Sequence, residues 1–429
     1  MIDRRRLIFI AALAPTLCRI RTGAARPLVD STSVLQNAID KAQSGGDVVK
    51  IPPGVSYVSH LRISGNVRLV GAGTDSRLAG TGSGPMLTIE RADRVAIENI
   101  AFDGGGGKPG GESGLIEARD VGDFHCSDCA IERASGYGLR IERCGGSIER
   151  SFFRGLSESA IWSIDGAGLS IADNRVEDCG SNGIQVWRSA KGPDGTIIRG
   201  NRIERVRVDR GGNGPYGNAI SAFRAEGVSC TGNIVRGAAF SAIRFNSSSN
   251  AVITGNNCSD IGETAIYVEF AFQGAVVSSN IVDGASTGVS VTNFDQGGRL
   301  AAVTGNVIRN LTRPLPQGGD IFGLGIHVET DTTVTGNAVD NAGFAGLRLG
   351  YGVGLRDVVA ADNVLTDCGF GIAVSVAPGA GGATIRDNRI ARARRGAIVG
   401  MAWSAIASSD LVAEAAKYPL LTMSGNEVR

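Results

Sequence analysis

An asparagine, about ten residues of other sequence, then a glycine or alanine followed by an aliphatic residue: this phrase recurs along most of the chain. The asparagines are Asn174, Asn201, Asn233, Asn256, Asn280, Asn306, Asn337, Asn363, Asn388 and Asn426. The answering pairs are Gly183-Ile184, Ala219-Ile220, Ala242-Ile243, Ala265-Ile266, Gly288-Val289, Gly325-Ile326, Gly346-Leu347, Gly371-Ile372 and Ala397-Ile398. A looser copy runs back through Ser151 with Ala160-Ile161 and Asp128 with Gly138-Leu139. A period of roughly 25 residues marks a solenoid, in which each repeat touches only its neighbours. Such a chain encloses no pocket, so function must lie on an outer face or beneath inserted loops.

Within one repeat the segments read as short strands joined by Gly, Asn and Asp turns. Val252 to Thr254 leads to Gly255-Asn256, then Cys258 to Ile261, then Ala265 to Glu269. No helical spacing lies between them, which excludes a doubly wound α/β protein. Strands coiling onto the next coil give an all-β fold, a single right-handed parallel β-helix of about a dozen rungs, the hand following from the crossover rule. Residues 81–400 carry the repeats. Residues 26–80 hold a cap and the first strands, with an amphipathic helix from Ser31 to Ala42 covering the open core end. Residues 401–429 break the beat through a short helix, Asp410 to Lys417, and form a closing cap. The repeated Asn is expected at a bend, in the left-handed region, with its amide stacked on its neighbours.

Gly is abundant, at 63 of 429 residues, and aromatics make up 5%. Net charge is +1 with no basic run, which excludes nucleic acid as a partner. Residues 1–25 read as an export leader: Arg4-Arg5-Arg6, an apolar run from Leu7 to Ala14, then Thr22-Gly23-Ala24-Ala25. That run is far short of the ~20 residues that span a bilayer. Asp3 to Ile8 resembles the twin-arginine signal, with an ordinary secretory signal as the alternative; either delivers the protein to the periplasm or beyond. The cysteines read as small buried fillers. Cys179 and Cys368 share a repeat position seven rungs apart and cannot bridge, and Cys126-x-x-Cys129 has no second pair.

Side chains alternate along a strand. If the aliphatic residue after Gly or Ala points inward, the next points out. Stacked rungs then present the column Arg140, Trp162, Gln185, Ser221, Arg244, Tyr267, Ser290, His327, Arg348. A second column, two residues on, is Glu142, Ile164, Trp187, Phe223, Asn246, Glu269, Thr292, Glu329. Aromatic faces stack on sugar rings and Arg holds carboxylates in a fork. Two insertions, between Asn201 and Ile220 and between Asn306 and Ile326, fall at the same point of the repeat. They frame this surface four rungs apart, about 19 Å at 4.7–4.9 Å per rung. Trp162, Trp187, Phe223, Arg348 and Asp295 are the candidate substrate-binding residues. Glu269, His327, Glu329, Tyr267 and Arg244 are the candidate catalytic ones. Glu269 and Glu329, two rungs apart and so about 9–10 Å between Cα atoms, suit an inverting hydrolase. Arg244 or Arg348 as cation with His327 or Tyr267 as base suits a lyase or epimerase. No metal site is expected. Calcium alone stays open through Asp295, Asp320 and Asp331, without a calcium-loop spacing.

Leu35-Gln36-x-Ala38-Ile39-Asp40 with Gly46-x-Val48-x-x-Ile51-Pro52-Pro53-Gly54 resembles the N-terminal cap of the pectate-lyase-like right-handed β-helix superfamily. The repeated phrase resembles its parallel β-helix repeats, and with the leader the chain resembles twin-arginine-exported repeat proteins of Proteobacteria without established function. The resemblance implies lyase, glycoside hydrolase or C5-epimerase activity on a polysaccharide. The signature motifs of polygalacturonases, mannuronan epimerases and pectate lyases are missing, so no family's catalytic residues carry over. The expectation is therefore an exported, monomeric protein that binds and processes polysaccharide between the two loops. The alternative is a non-catalytic carbohydrate-binding or envelope scaffold.

Overall fold

The computed structural model describes residues 29–429 except 44, 46, 107–111, 212–213, 317 and 319–321. The leader and Asp320 therefore lie outside the described residues. The rest winds into a parallel β-solenoid of about 13 turns. Each coil contributes three short strands. In one coil these are Ala251–Thr254, Asn257–Ile261 and Thr264–Glu269, each paired in parallel with its counterpart a coil later. The inner column of each strand fills a continuous core, with Ile253, Cys258 and Ile266 from this coil fully buried.

The bends explain the repeated phrase, with one correction. The ladder asparagines are not the left-handed residues. The residue before each one is: Gly232, Gly255, Ser279, Gly305, Gly336, Asp362 and Asp387 all have positive φ. The Asn itself turns into the corner, buried, and its amide works along the axis. Asn280 Nδ2 donates to Asn306 Oδ1 and to Ile253 O (3.0 Å each), while Asn280 Oδ1 accepts from Asn256 N (2.9 Å). The same bonds link Asn174 through to Asn426. The small residue about ten positions on is small for a packing reason: a Cβ at Gly183 would collide with Ala219 O on the next coil and with Ile203.

The helix spans Thr32–Gln43 and presses Leu35, Ile39 and Ala42 onto the first coils. At the other end the expected helix over Asp410–Lys417 is only turns and a 3-10 segment, Ala415–Lys417. Leu421–Ser424 then rejoins the ladder beside Ala383–Arg386. The seven described cysteines are all free and buried; burial pushes the Cys179 and Cys258 thiols up to about 12, as inert core residues should behave. Among the described residues no helix is long and apolar enough to cross a membrane.

Candidate functional site

The strands that follow the Gly/Ala-aliphatic pair form one sheet, and its outward residues align as read from the sequence. Arg140 pairs with Trp162, Trp162 with Gln185, Gln185 with Ser221 and Ser221 with Arg244. Arg244 then pairs with Tyr267, Tyr267 with Ser290, Ser290 with His327 and His327 with Arg348. The two insertions close on equivalent positions of that sheet's edge: Gly217 N donates to Ser181 O and Gly323 N to Ser286 O, both at 2.7 Å. They therefore rise on the same side.

Beneath the first insertion runs an unbroken row of rings. Tyr137 lies 4.7 Å from Trp162, which is 5.8 Å from Trp187, itself 5.8 Å from Phe223. Trp187 Nε1 donates to Ser221 Oγ at 3.3 Å. Arg140 sits over Trp162 at 5.3 Å. Asn182 Nδ2 donates to Pro215 O (3.0 Å), holding the insertion down. Arg210 reaches back to the carboxylate of Glu158 at 2.6 Å. The row opens into a cleft of about 470 Å³ walled by Trp187, Phe223, Phe270 and Pro215, with Arg244 and Asn246 on its floor. Phe270, which the sequence reading missed, is turned into this wall at a positive-φ bend.

On the floor, Arg244 Nε and Nη2 both meet Glu269 Oε1 at 2.7 Å, and Asn246 Nδ2 donates to the same oxygen at 2.9 Å. Arg244 Nη1 donates to Gly214 O (2.8 Å), which ties the floor to the insertion. Glu269 is 1% exposed. This corrects the expectation of Glu269 and Glu329 as two free carboxylates: Glu269 is the buried counter-ion of Arg244. Tyr267 lies under Arg244 at 5.1 Å, and burial, then the charge of Glu269, pushes its phenol up to about 12. At neutral pH its phenol stays protonated, more firmly than an ordinary tyrosine, which bears against its expected use as a base.

Two carboxyls went unread. Glu158 and Glu263 occupy one repeat position, two residues before the small residue, where other coils place Ser181, Phe240 or Ser286. Burial pushes both up, against the opposing pull of Arg210 on Glu158 and of Arg244 on Glu263. Glu263 Oε2 is buried with no hydrogen-bond partner among the described residues. An acid at a position that most other coils fill with Gly, Ser or Phe, Arg395 being the exception, was the available signal.

Further along, His327 is packed closely enough that burial, with Arg348 adding, lowers its imidazole to about 3. The residue retains some exposed surface, but Nε2 is buried with no hydrogen-bond partner among the described residues. His327 is therefore neutral at pH 7 and a weak base. Arg348 is 6% exposed, its guanidinium 4.5 Å from the Tyr351 ring and 5.8 Å from Phe344. Glu329 follows the strand Leu324–Val328 and is half-buried. Asp295 is exposed on the 3-10 turn Phe294–Gln296, off the column, and accepts from Gln296 Nε2 at 3.0 Å. Asp331, expected as an open oxygen ligand, is taken by Arg299 (2.7 Å) and Arg356 (2.8 Å). Among the described residues no three His, Cys, Asp or Glu side chains stand together as a metal site.

The coil, its Asn ladder and an outer groove under inserted loops define a right-handed parallel β-helix protein. The chain belongs to that family: the family model described as right handed beta helix region matches residues 74–203 and 191–355, well over half of it. Among solved structures it is similar to an exopolygalacturonase from Thermotoga maritima, at 11% identity and TM-score 0.52, over 71% of this chain and 88% of that one. It is also similar to DFA-IIIase from Arthrobacter chlorophenolicus, at 17% identity and TM-score 0.49, over 86% and 91%. The A-module of a mannuronan C-5 epimerase from Azotobacter vinelandii matches at 14% identity and TM-score 0.42, over 94% and 96%. At these identities the likeness concerns the fold. No curated protein sequence matches.

Proposed function

We propose that this is an exported β-helix protein that binds polysaccharide along the groove sheet, with a sugar ring seated in the Trp187–Phe223 cleft. The observation that carries the reading is the row Tyr137–Trp162–Trp187–Phe223 running into that cleft. Aromatic faces present a flat apolar surface to the C–H face of a pyranose, while Asn246 and Arg244 offer polar groups to its hydroxyls. A neighbour in fold that is an exopolygalacturonase by its name agrees with this choice of ligand. Processing of the bound chain is the finer part of the proposal. Its proton donor is Glu263, whose carboxyl burial keeps protonated to higher pH than usual, beside Tyr267. The commitment of Glu269 to Arg244 favours the second reading, binding without turnover.

The test is a panel of acidic and neutral polysaccharides with purified protein, following binding, chain length and the ends of any fragments. Unsaturated ends identify a lyase, saturated fragments a hydrolase. Binding with unchanged chains supports the scaffold reading, and an epimerase is then separated by the proton spectrum of the recovered polymer. Undiminished glycan binding by W187A/F223A would sink the groove as the site.

A further inference from the structure

Arg244 and Arg348 stand in one outward column, four rungs apart, yet they differ chemically. Arg244 is satisfied: two of its nitrogens lie on Glu269 and a third on Gly214 O. Arg348 makes no hydrogen bond or ion pair among the described residues, although it is 6% exposed. Around it are the ring faces of Tyr351 and Phe344 and, not hydrogen-bonded to it, the charge of Glu329. A ring covers the face of a guanidinium, while the N–H donors lie in its plane and stay available. Arg348 is nearly buried as a residue, yet no nitrogen of it is among the buried unpartnered atoms, so its donors are placed to meet a ligand. Its neighbour on the preceding coil is His327, paired strand to strand. That imidazole is neutral above about pH 3, so it adds no competing charge.

We infer that Arg348, with His327 beside it, is an anion subsite for an acidic substituent of the bound glycan, a carboxylate or a sulfate ester. The inference rests on the groove reading above and adds the substrate class to it. Arg348 stands about 19 Å from Arg244 at ~4.8 Å per strand, so one sugar unit cannot fill both places. The ligand is a chain that stacks a ring at Trp187–Phe223 and presents its charge at Arg348. Arg244, already neutralised by Glu269, does not select for that charge.

The experiment is calorimetric titration of the full chain with galacturonate and with mannuronate–guluronate oligosaccharides, each beside its carboxyl-reduced neutral counterpart, and with a sulfated glycan. The expected result is at least one acidic chain bound roughly tenfold or more tighter than its neutral counterpart, the scale of one charge-assisted hydrogen-bonded pair. R348M should abolish that ratio, and R348K should restore part of it. Preference confined to the sulfated chain assigns the subsite to sulfate, and preference for a uronate assigns it to carboxylate. Survival of the acidic preference in a folded R348M, or no preference in wild type while neutral chains still bind, overturns the subsite and spares the groove. Binding of no chain at all overturns the groove reading and the subsite with it. Should R348M fail to fold, the ring-nitrogen signals of His327, one of three histidines, decide on wild type. Saturating acidic glycan should shift them and its neutral counterpart should not; unmoved signals overturn the proposal.

Discussion

On the sheet that opens each coil, the outward column runs Ser147, Ser170, Ile197, Ser229, Val252, Val276, Ala302. Val252 and Val276 there are 39% exposed. On the groove sheet the equivalent column contains Gln185, Ser221 and Ser290, all buried although they point away from the core. The backbone rule is the same in both sheets, with parallel pairing, one residue in and one out. The difference is what lies above. Aliphatic residues tolerate water on the first sheet because nothing covers them and nothing polar is desolvated. Charged residues on the groove sheet are covered, Arg244 by the first insertion and Arg348 by Tyr351 and Phe344, so each must find a partner or lose the free energy of hydration. Arg244 found Glu269. Arg348 found ring faces and the unbonded charge of Glu329. The comparison teaches that the selective surface of this solenoid is where desolvation is imposed on polar groups, not where apolar groups show.

The sharpest way to break the comparison is to remove one half of the buried ion pair. R244A should destabilise by about 3–5 kcal/mol, because Glu269 is left buried and charged, and the double variant R244M/E269M should recover much of that in a denaturation series. An R244A protein as stable as wild type would mean the groove floor is wetter than described. Next in size, N280A should cost about 2–3 kcal/mol, since the N–H of Asn256 and the carbonyl of Ile253 both lose a buried partner. Thermal melting checks it, and the effect should exceed that of outward substitutions outside the Arg244–Glu269 pair.

The pH response follows in magnitude. The folded-state value of His327 is depressed to about 3 from 6.5. The unfolded chain therefore binds the extra proton between those limits. The contribution to stability is fully present above pH 6.5 and is lost progressively as pH falls toward 3, by at most about 1.4 kcal/mol per pH unit. The melting temperature of H327Q should depend less steeply on pH than that of wild type across that window. Smaller again, W187A should weaken glycan binding by roughly tenfold, or about 1.4 kcal/mol, with little change in stability relative to a core substitution. V276T on the uncovered sheet should stay within about 0.5 kcal/mol in stability and leave binding unaltered. An effect of V276T as large as that of W187A would erase the distinction between the two surfaces.

The family, the coil and the outward column were legible in the sequence, and the reason is geometric. A strand pleat has a period of two and a stacked coil repeats at a nearly constant interval, so residues such as Ser221, Arg244 and Tyr267 must become neighbours once the phrase is recognised. The ladder role of Asn280 followed from the same regularity, while its backbone did not: the left-handed residue is Ser279, because the asparagine has to turn inward for its amide to reach both neighbouring coils. Partnership and burial were decided only by the tertiary structure. Whether Glu269 is a free acid or a counter-ion depends on Arg244 one coil earlier and on Gly214 in an inserted loop. Glu263 entered the site because a bend, not a strand, carries it beside Arg244. Sequence periodicity specifies which residues share a face, since that is a property of the backbone. Which of them remain charged, neutral or available depends on the loops above them, because hydration and pairing are set by three-dimensional surroundings that no repeat encodes.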